Sequence, residues 1–164
     1  MSDRAKKIFL GICILTPFLL YSGYYYSKMI RNAPYRFADF EYITFRYGLE
    51  DSLENRYYSR TGEYIFLNRA DSLVKTNVKL RKDDLLYLHR KAVNLGFWNF
   101  PEEMPAAPDY QHQKSPKYYL EFAYKEKTKR LMFDAAYNQN PKLKDAAKTL
   151  ISEVDQIIQE AKSR

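Results

Sequence analysis

The stretch of residues 118–135 reads YYLEFAYKEKTKRLMFDA. Its first half alternates apolar and more polar residues, so that every second side chain of an extended chain falls on the same face: Tyr118, Leu120, Phe122 and Tyr124. This period of two is typical of a strand with one buried face. Residues 126–128 can turn the chain, and residues 129–135 can return beside it. The stretch therefore predicts an antiparallel hairpin packed on a core.

Upstream segments carry the aromatic and β-branched residues of further strands. They lie at residues 41–47, 56–60, 63–69 and 73–80. Thr61 and Gly62 form a two-residue connection suited to a hairpin. The segments predict a meander of three or four antiparallel strands, followed by a stiff, proline-rich loop at residues 99–116.

Two amphipathic helices complete the predicted domain. Residues 82–95 repeat apolar side chains at helical spacing, and Gly96 is placed to end that helix. Residues 141–161 follow Asn140, a good N-cap, and repeat apolar residues at heptad spacing. The wide apolar stripe of the second helix favours docking on the sheet over a dimer seam. The fold class predicted is α+β: an antiparallel sheet packed by two amphipathic helices.

The N-terminal region predicts one transmembrane helix ahead of that domain. Residues 8–26 contain no charged side chain and would span about 28 Å as a helix. Basic residues flank both ends. This pattern predicts a basic tail over residues 1–7, a transmembrane helix over 8–27, a tether over 28–40 and a single domain over 41–164. A cleaved signal peptide is the alternative, but Leu20 and Tyr21 are too bulky for its usual cleavage pattern.

The predicted location is the inner (cytoplasmic) membrane, crossed once by a signal anchor, with the domain outside the cytoplasm. The basic N-terminal tail favours this orientation, although three Lys or Arg residues lie close to each end of the span. The lipid bilayer is accordingly a predicted partner.

Charge and cysteine content exclude several classes of function. The net charge is +7, yet residues 35–164 hold 22 Lys and Arg against 19 Asp and Glu, so nucleic-acid binding has little support. The only cysteine is Cys13, which leaves the domain without a disulfide or a thiolate ligand. Neither a phosphate-binding glycine loop nor a hydrolase signature occurs. No catalytic residue, metal or cofactor is predicted.

The proline-rich loop holds the residues of an enzymatic alternative. Glu102, Glu103, Asp109 and His112 offer carboxylates and an imidazole for a hydrolase or a metal-dependent enzyme. Solvated loop charges explain the same residues without chemistry. His89, on the first predicted helix, is more typical of a structural histidine than of a catalytic one.

Aromatic residues are the stronger signal for function. The chain has 16 tyrosines, and tyrosine is enriched at protein interfaces as well as on packed strands. Basic residues crowd the second hairpin, where they can contact anions or simply protect an edge. The candidate interaction surface combines both kinds of residue: Tyr57, Tyr58, Trp98, Tyr119, Lys127, Lys129 and Arg130.

The order of these elements resembles small uncharacterised bacterial envelope proteins that tether such a domain by a signal anchor or a lipid. The resemblance covers residues 41–161: a meander, a helix ending in LGFW at 95–98, a Tyr/Leu/Phe hairpin and an Asn-Pro-capped helix. It implies no activity, and the sequence lacks a usable lipobox. The function expected is a membrane-anchored, non-enzymatic binding or accessory module of the cell envelope, with another envelope protein as partner. A small accessory subunit of a membrane complex is a third alternative.

Overall fold

The structure is a computed structural model that describes residues 3–31, 35–49, 51–110 and 114–164. The chain divides into two compact units, residues 1–35 and residues 36–164. The first unit contains helix α1, Asp3–Arg31, which includes Pro17. Helix α1 therefore extends past residue 27 into the predicted tether.

Helix α1 does not support the predicted transmembrane span. Within the part of the chain that the structure describes, no helix has an apolar stretch long enough to cross a membrane. This finding contradicts the transmembrane helix 8–27, and the signal anchor and single-pass membrane location that were inferred from it are corrected with it. The physical reason lies in the second half of the uncharged stretch. Its strongly apolar part is residues 8–20, about 20 Å of helix, because residues 21–27 read YSGYYYS and six of them carry a hydroxyl group.

The second unit contains an α+β domain with two helices beside a single sheet. Its elements, in chain order, are β1 Phe40–Leu49, β2 Asn55–Tyr58, β3 Glu63–Leu67, β4 Leu73–Asn77, α2 Lys82–Asn94, β5 Glu103–Met104, β6 Pro116–Tyr124, β7 Thr128–Asp134 and α3 Pro141–Lys162. Short 3₁₀ turns occur at Phe37–Asp39, Phe97–Asn99 and Pro108–Tyr110. The α+β class, both predicted hairpins and both amphipathic helices are present.

The sheet has seven strands in the order β4-β3-β2-β1-β6-β7-β5. Six of them pair antiparallel, with the long β1–β6 ladder at the centre. The short β5 pairs parallel with β7, so the sheet is mixed rather than purely antiparallel as predicted. Strand β5 lies inside the proline-rich loop and has only two residues, too few to show a period of two.

The hairpin between β2 and β3 depends on a glycine. Gly62 has φ +74, a left-handed conformation that side chains with a Cβ rarely adopt. A Cβ at this position would lie 2.9 Å from Oδ1 of Asn77 and 3.2 Å from the carbonyl oxygen of Val78. The turn therefore needs glycine both for its backbone conformation and for the close approach of β4.

Helices α2 and α3 pack on one face of the sheet, which we call the covered face. Asn140 caps α3 by accepting a hydrogen bond from the backbone N–H of Leu143 at 3.1 Å. The core between helices and sheet is apolar and aromatic, and its fully buried members include Phe45, Leu120, Phe122, Leu131, Phe133, Leu88, Leu150 and Val154. Ala147, Leu150 and Val154 of the heptad pattern are buried, as docking on the sheet predicted, while Leu143, Ile157 and Ala161 are half-buried.

Candidate functional site

The opposite face of the sheet, which we call the open face, carries the side chains that alternate with the core residues of the strands. Because Ile43 and Phe45 of β1 are buried against the helices, their neighbours in the strand point the other way. The register places residues of five strands together on this face: Tyr42, Thr44, Arg46, Tyr58, Glu63, Tyr119, Glu121 and Arg130. Its chemistry is that of tyrosine, arginine and glutamate.

Arg46 lies at the centre of the open face. Its guanidinium carbon is 5.4 Å from the ring centre of Tyr58 and 5.5 Å from that of Tyr119, which are cation–π distances. Its Nε is buried and has no hydrogen-bond partner, and among the described residues Arg46 forms no ion pair. Arg56, directly opposite on β2, also lacks an ion pair within the described part of the chain. Two arginines with unpaired charge therefore lie side by side.

Glu121 forms a hydrogen-bonded group next to Arg46. Its side chain accepts hydrogen bonds from the hydroxyl of Tyr119 at 2.6 Å and from Nε of Arg130 at 2.9 Å. Glu121 is only 8% exposed, so these two donors replace water. Burial and the hydrogen bond to Glu121 raise the pKa of Tyr119 to about 12. Tyr119 therefore remains a neutral donor, and Glu121 leaves the charge of Arg46 uncompensated.

A concavity of about 400 Å³ opens beside Arg46. Strand and turn residues line it, with none from α2 or α3: Tyr42, Thr44, Arg46, Tyr58, Arg60, Thr61, Glu63 and Glu121. At its rim Arg60 lies over the ring of Tyr42, 4.7 Å from its centre, and pairs with Glu41 at 2.8 Å. Glu63 pairs with Lys75 at 3.1 Å. The acidic residues of the rim are thus already neutralised by basic neighbours.

A second concavity, of about 360 Å³, lies between the sheet and α3. Phe45, Phe133 and Ile151 contribute to its apolar lining. The hydroxyl of Tyr47 in this lining lies 3.0 Å from the hydroxyl of Tyr64, and burial together with this hydrogen bond raises the pKa of Tyr47 well above its ordinary value. The basic residue of this lining is Lys148, an exposed side chain of α3, whereas Arg46 is half-buried beside two rings, so the open face is the stronger candidate site.

Three of the residues predicted to form an interaction surface lie together on the open face. Tyr58 and Tyr119 are the two rings beside Arg46, and Arg130 donates a hydrogen bond to Glu121. Lys127 lies in the turn between β6 and β7. The structure thus brings three of the seven residues together, while their role in interaction stays a prediction.

The other predicted surface residues lie on the covered face. Tyr57 is fully buried, and its hydroxyl donates a hydrogen bond to the carbonyl oxygen of Val78 at 3.0 Å. The ammonium group of Lys129 is buried and donates to the carbonyl oxygen of Phe100. The Trp98 ring packs on Phe122, with ring centres 5.8 Å apart. Tyr57 and Lys129 are therefore buried, and Trp98 is half-buried against the domain.

The residues of the enzymatic alternative do not form a cluster within the described structure. Glu102, Glu103 and Asp109 are exposed, and His112 lies outside the described residues. No group of three or more potential metal ligands occurs among the described residues. His89 is buried, with Nδ1 2.8 Å from the hydroxyl of Tyr124, and burial lowers its pKa.

Sequence reasoning missed Arg46, Tyr42, Thr44 and Glu121. The signal was present in the strand at residues 41–47, where Tyr42, Thr44 and Arg46 alternate with Ile43 and Phe45. This alternation would have placed Arg46 on the face of the strand opposite Ile43 and Phe45, together with Tyr42 and Thr44.

Comparison with known proteins identifies no relative: neither the protein-family models nor the curated proteins contain a match to this chain. The resemblance to bacterial envelope proteins stays a prediction from the order of elements.

Proposed function

We propose that the chain is a non-enzymatic binding module that holds a partner protein on the open face of its sheet. The observation that carries this proposal is Arg46, which has no ion pair among the described residues and lies between two tyrosine rings. Tyrosine and arginine are the side chains most enriched in the energetic centres of protein interfaces. Their rigid packing here lowers the entropy lost when a partner binds.

The open face is both polar and closely packed. Thr44 and Glu121 are nearly buried beneath the surrounding rings and arginines. Half-buried aromatic rings with hydroxyl groups at their edges provide contact area without a large exposed apolar patch. Such a surface suits a partner that binds and dissociates, because the free protein stays compatible with water.

Site-specific photo-crosslinking in the cells that express the chain tests this proposal. A photoreactive amino acid replaces Tyr42 on the open face, and a matched variant carries it at Tyr87, an exposed tyrosine of α2. We expect a discrete crosslinked protein from position 42 and none from position 87. The purified partner should then bind the full chain, and Arg60→Ala beside Tyr42 should weaken that binding. Equal crosslinking from both positions, or none from position 42, contradicts the proposal.

A further inference from the structure

We infer that Arg46 anchors a carboxylate, and that the segment bound on the open face is an acidic stretch of the partner protein. This inference rests on the proposed function, because it names the chemistry that the open face recognises. Its physical basis is the charge balance of the face, together with the way in which Arg46 is held.

The acidic side chains around Arg46 each have a basic partner elsewhere. Glu41 pairs with Arg60, Glu63 with Lys75 and Glu121 with Arg130. Within the described residues Arg46 and Arg56 are left over, so the face lacks one or two negative charges. A partner that supplies carboxylates completes the charge balance.

The pairing register places the two arginines where they repel each other. Arg46 and Arg56 are direct cross-strand neighbours of β1 and β2. Like charges in that position destabilise a sheet. A carboxylate between or above the two guanidinium groups replaces this repulsion by attraction.

The two tyrosine rings fix the direction in which Arg46 can bind. Because its Nε is buried between them, the terminal Nη groups are left to meet a ligand. Those two groups form a planar fork that matches the two oxygens of a carboxylate. The rings also hold the guanidinium in one orientation, which reduces the entropy lost on binding.

The neighbouring carboxylates favour a monoanion over a phosphate. Glu63 and Glu121 line the same concavity as Arg46, and although each is paired with a basic residue, they repel a doubly charged ligand group more strongly than a monoanion. The concavity is formed by one sheet face and has no opposing wall from α2 or α3, whereas small-molecule sites enclose most of their ligand. Glutamate and aspartate side chains of a protein segment, spread along the surface, fit both conditions.

A titration of the full chain with a fluorescent glutamate–alanine repeat peptide tests the inference. The matched glutamine–alanine peptide reports sequence-independent binding, and inorganic phosphate and free glutamate are added in separate titrations as competitors. The variants are Arg46→Gln, Arg46→Lys and, as a control that removes one charge from α2, Arg90→Gln. Fluorescence anisotropy gives the dissociation constant of each, and the circular dichroism spectrum checks that each variant is folded.

We expect the acidic peptide to bind and the glutamine peptide to fail. Arg46→Gln should weaken binding roughly tenfold or more, the loss typical of a charge-assisted hydrogen-bonded pair. Arg46→Lys should also weaken it because lysine lacks the planar fork. Arg90→Gln should change it by less than about twofold, in keeping with a screened, distant charge.

Three outcomes overturn the inference. In the first, Arg46→Gln and Arg90→Gln weaken binding of the acidic peptide equally. In the second, the acidic peptide does not bind. In the third, phosphate displaces the peptide at a lower concentration than free glutamate does. In each case a partner that crosslinks from position 42 but not from position 87 leaves the proposed function standing. Failure of both experiments removes the proposed function as well.

Discussion

Replacing Arg46 by methionine should leave the domain as stable as before or make it more stable. Methionine keeps the unbranched stem between Tyr58 and Tyr119 but removes the charge and the unpaired Nε. An unsatisfied buried donor costs about 1–3 kcal/mol. Repulsion from Arg56 adds up to about 1 kcal/mol, while the two ring contacts contribute about 0.5–1 kcal/mol each. At the centre of these ranges the free energy of unfolding should rise by about 1 kcal/mol, and at their unfavourable limit it should fall by no more than about 1 kcal/mol.

The neighbouring residue provides the contrast. Phe45 is 1% exposed on the covered face, so Phe45→Ala should lower the free energy of unfolding by about 3–5 kcal/mol. Urea denaturation followed by the fluorescence of Trp98, the single tryptophan, measures both variants. A loss of more than about 1 kcal/mol in Arg46→Met would refute the reasoning, because Arg46 would then stabilise the fold rather than await a ligand.

Two further predictions concern the fold around the open face. Gly62→Ala should destabilise the domain by more than Gly96→Ala in the same urea assay. Both positions have positive φ, but only at Gly62 does an added Cβ meet atoms within 4 Å. An equal loss of stability in the two variants contradicts the close approach of β4. The second prediction concerns Asp84, whose pKa is lowered by its hydrogen bonds with Arg164 at 2.9 and 3.2 Å. Its stabilisation is present above the ordinary carboxyl pKa of about 4 and is lost as the pH falls through the lower pKa of the folded state. Asp84→Asn should lower the free energy of unfolding by about 1 kcal/mol at neutral pH and should make stability depend less on pH in the acid range. A pH profile of the thermal midpoint that is the same in both proteins counts against the Asp84–Arg164 ion pair.

Strand and helix patterns in the sequence predicted much of the domain because burial on one face leaves a clear period. Residues 118–135 and α3 show this most directly, since their apolar residues do face the common core. Strand β5 could not be predicted, because its two residues join the sheet through β7 rather than through a pattern of their own. The transmembrane prediction failed because an uncharged stretch was treated as an apolar one.

The candidate site was only partly predictable because a composition does not reveal which face a residue occupies. Tyr57 and Tyr58 are adjacent and chemically identical, yet Tyr57 pairs with Phe45 and is buried, while Tyr58 pairs with Thr44 and reaches the open face. Lys129 is likewise turned inward by its pairing with Phe122. A shift of one residue in register exchanges the two faces, so strand pairing had to be known before Arg46 could be recognised.

Arginine side-chain NMR of the isotope-labelled full chain, during titration with the glutamate–alanine peptide, tests most directly whether the open face binds. Each arginine Nε–H gives its own signal, so the open face and the rest of the surface are observed together. The largest shifts should occur at Arg46 and Arg56, with Arg90 on α2 nearly unchanged. Uniform shifts of all arginines, or the largest shift at Arg90, would contradict binding on the open face.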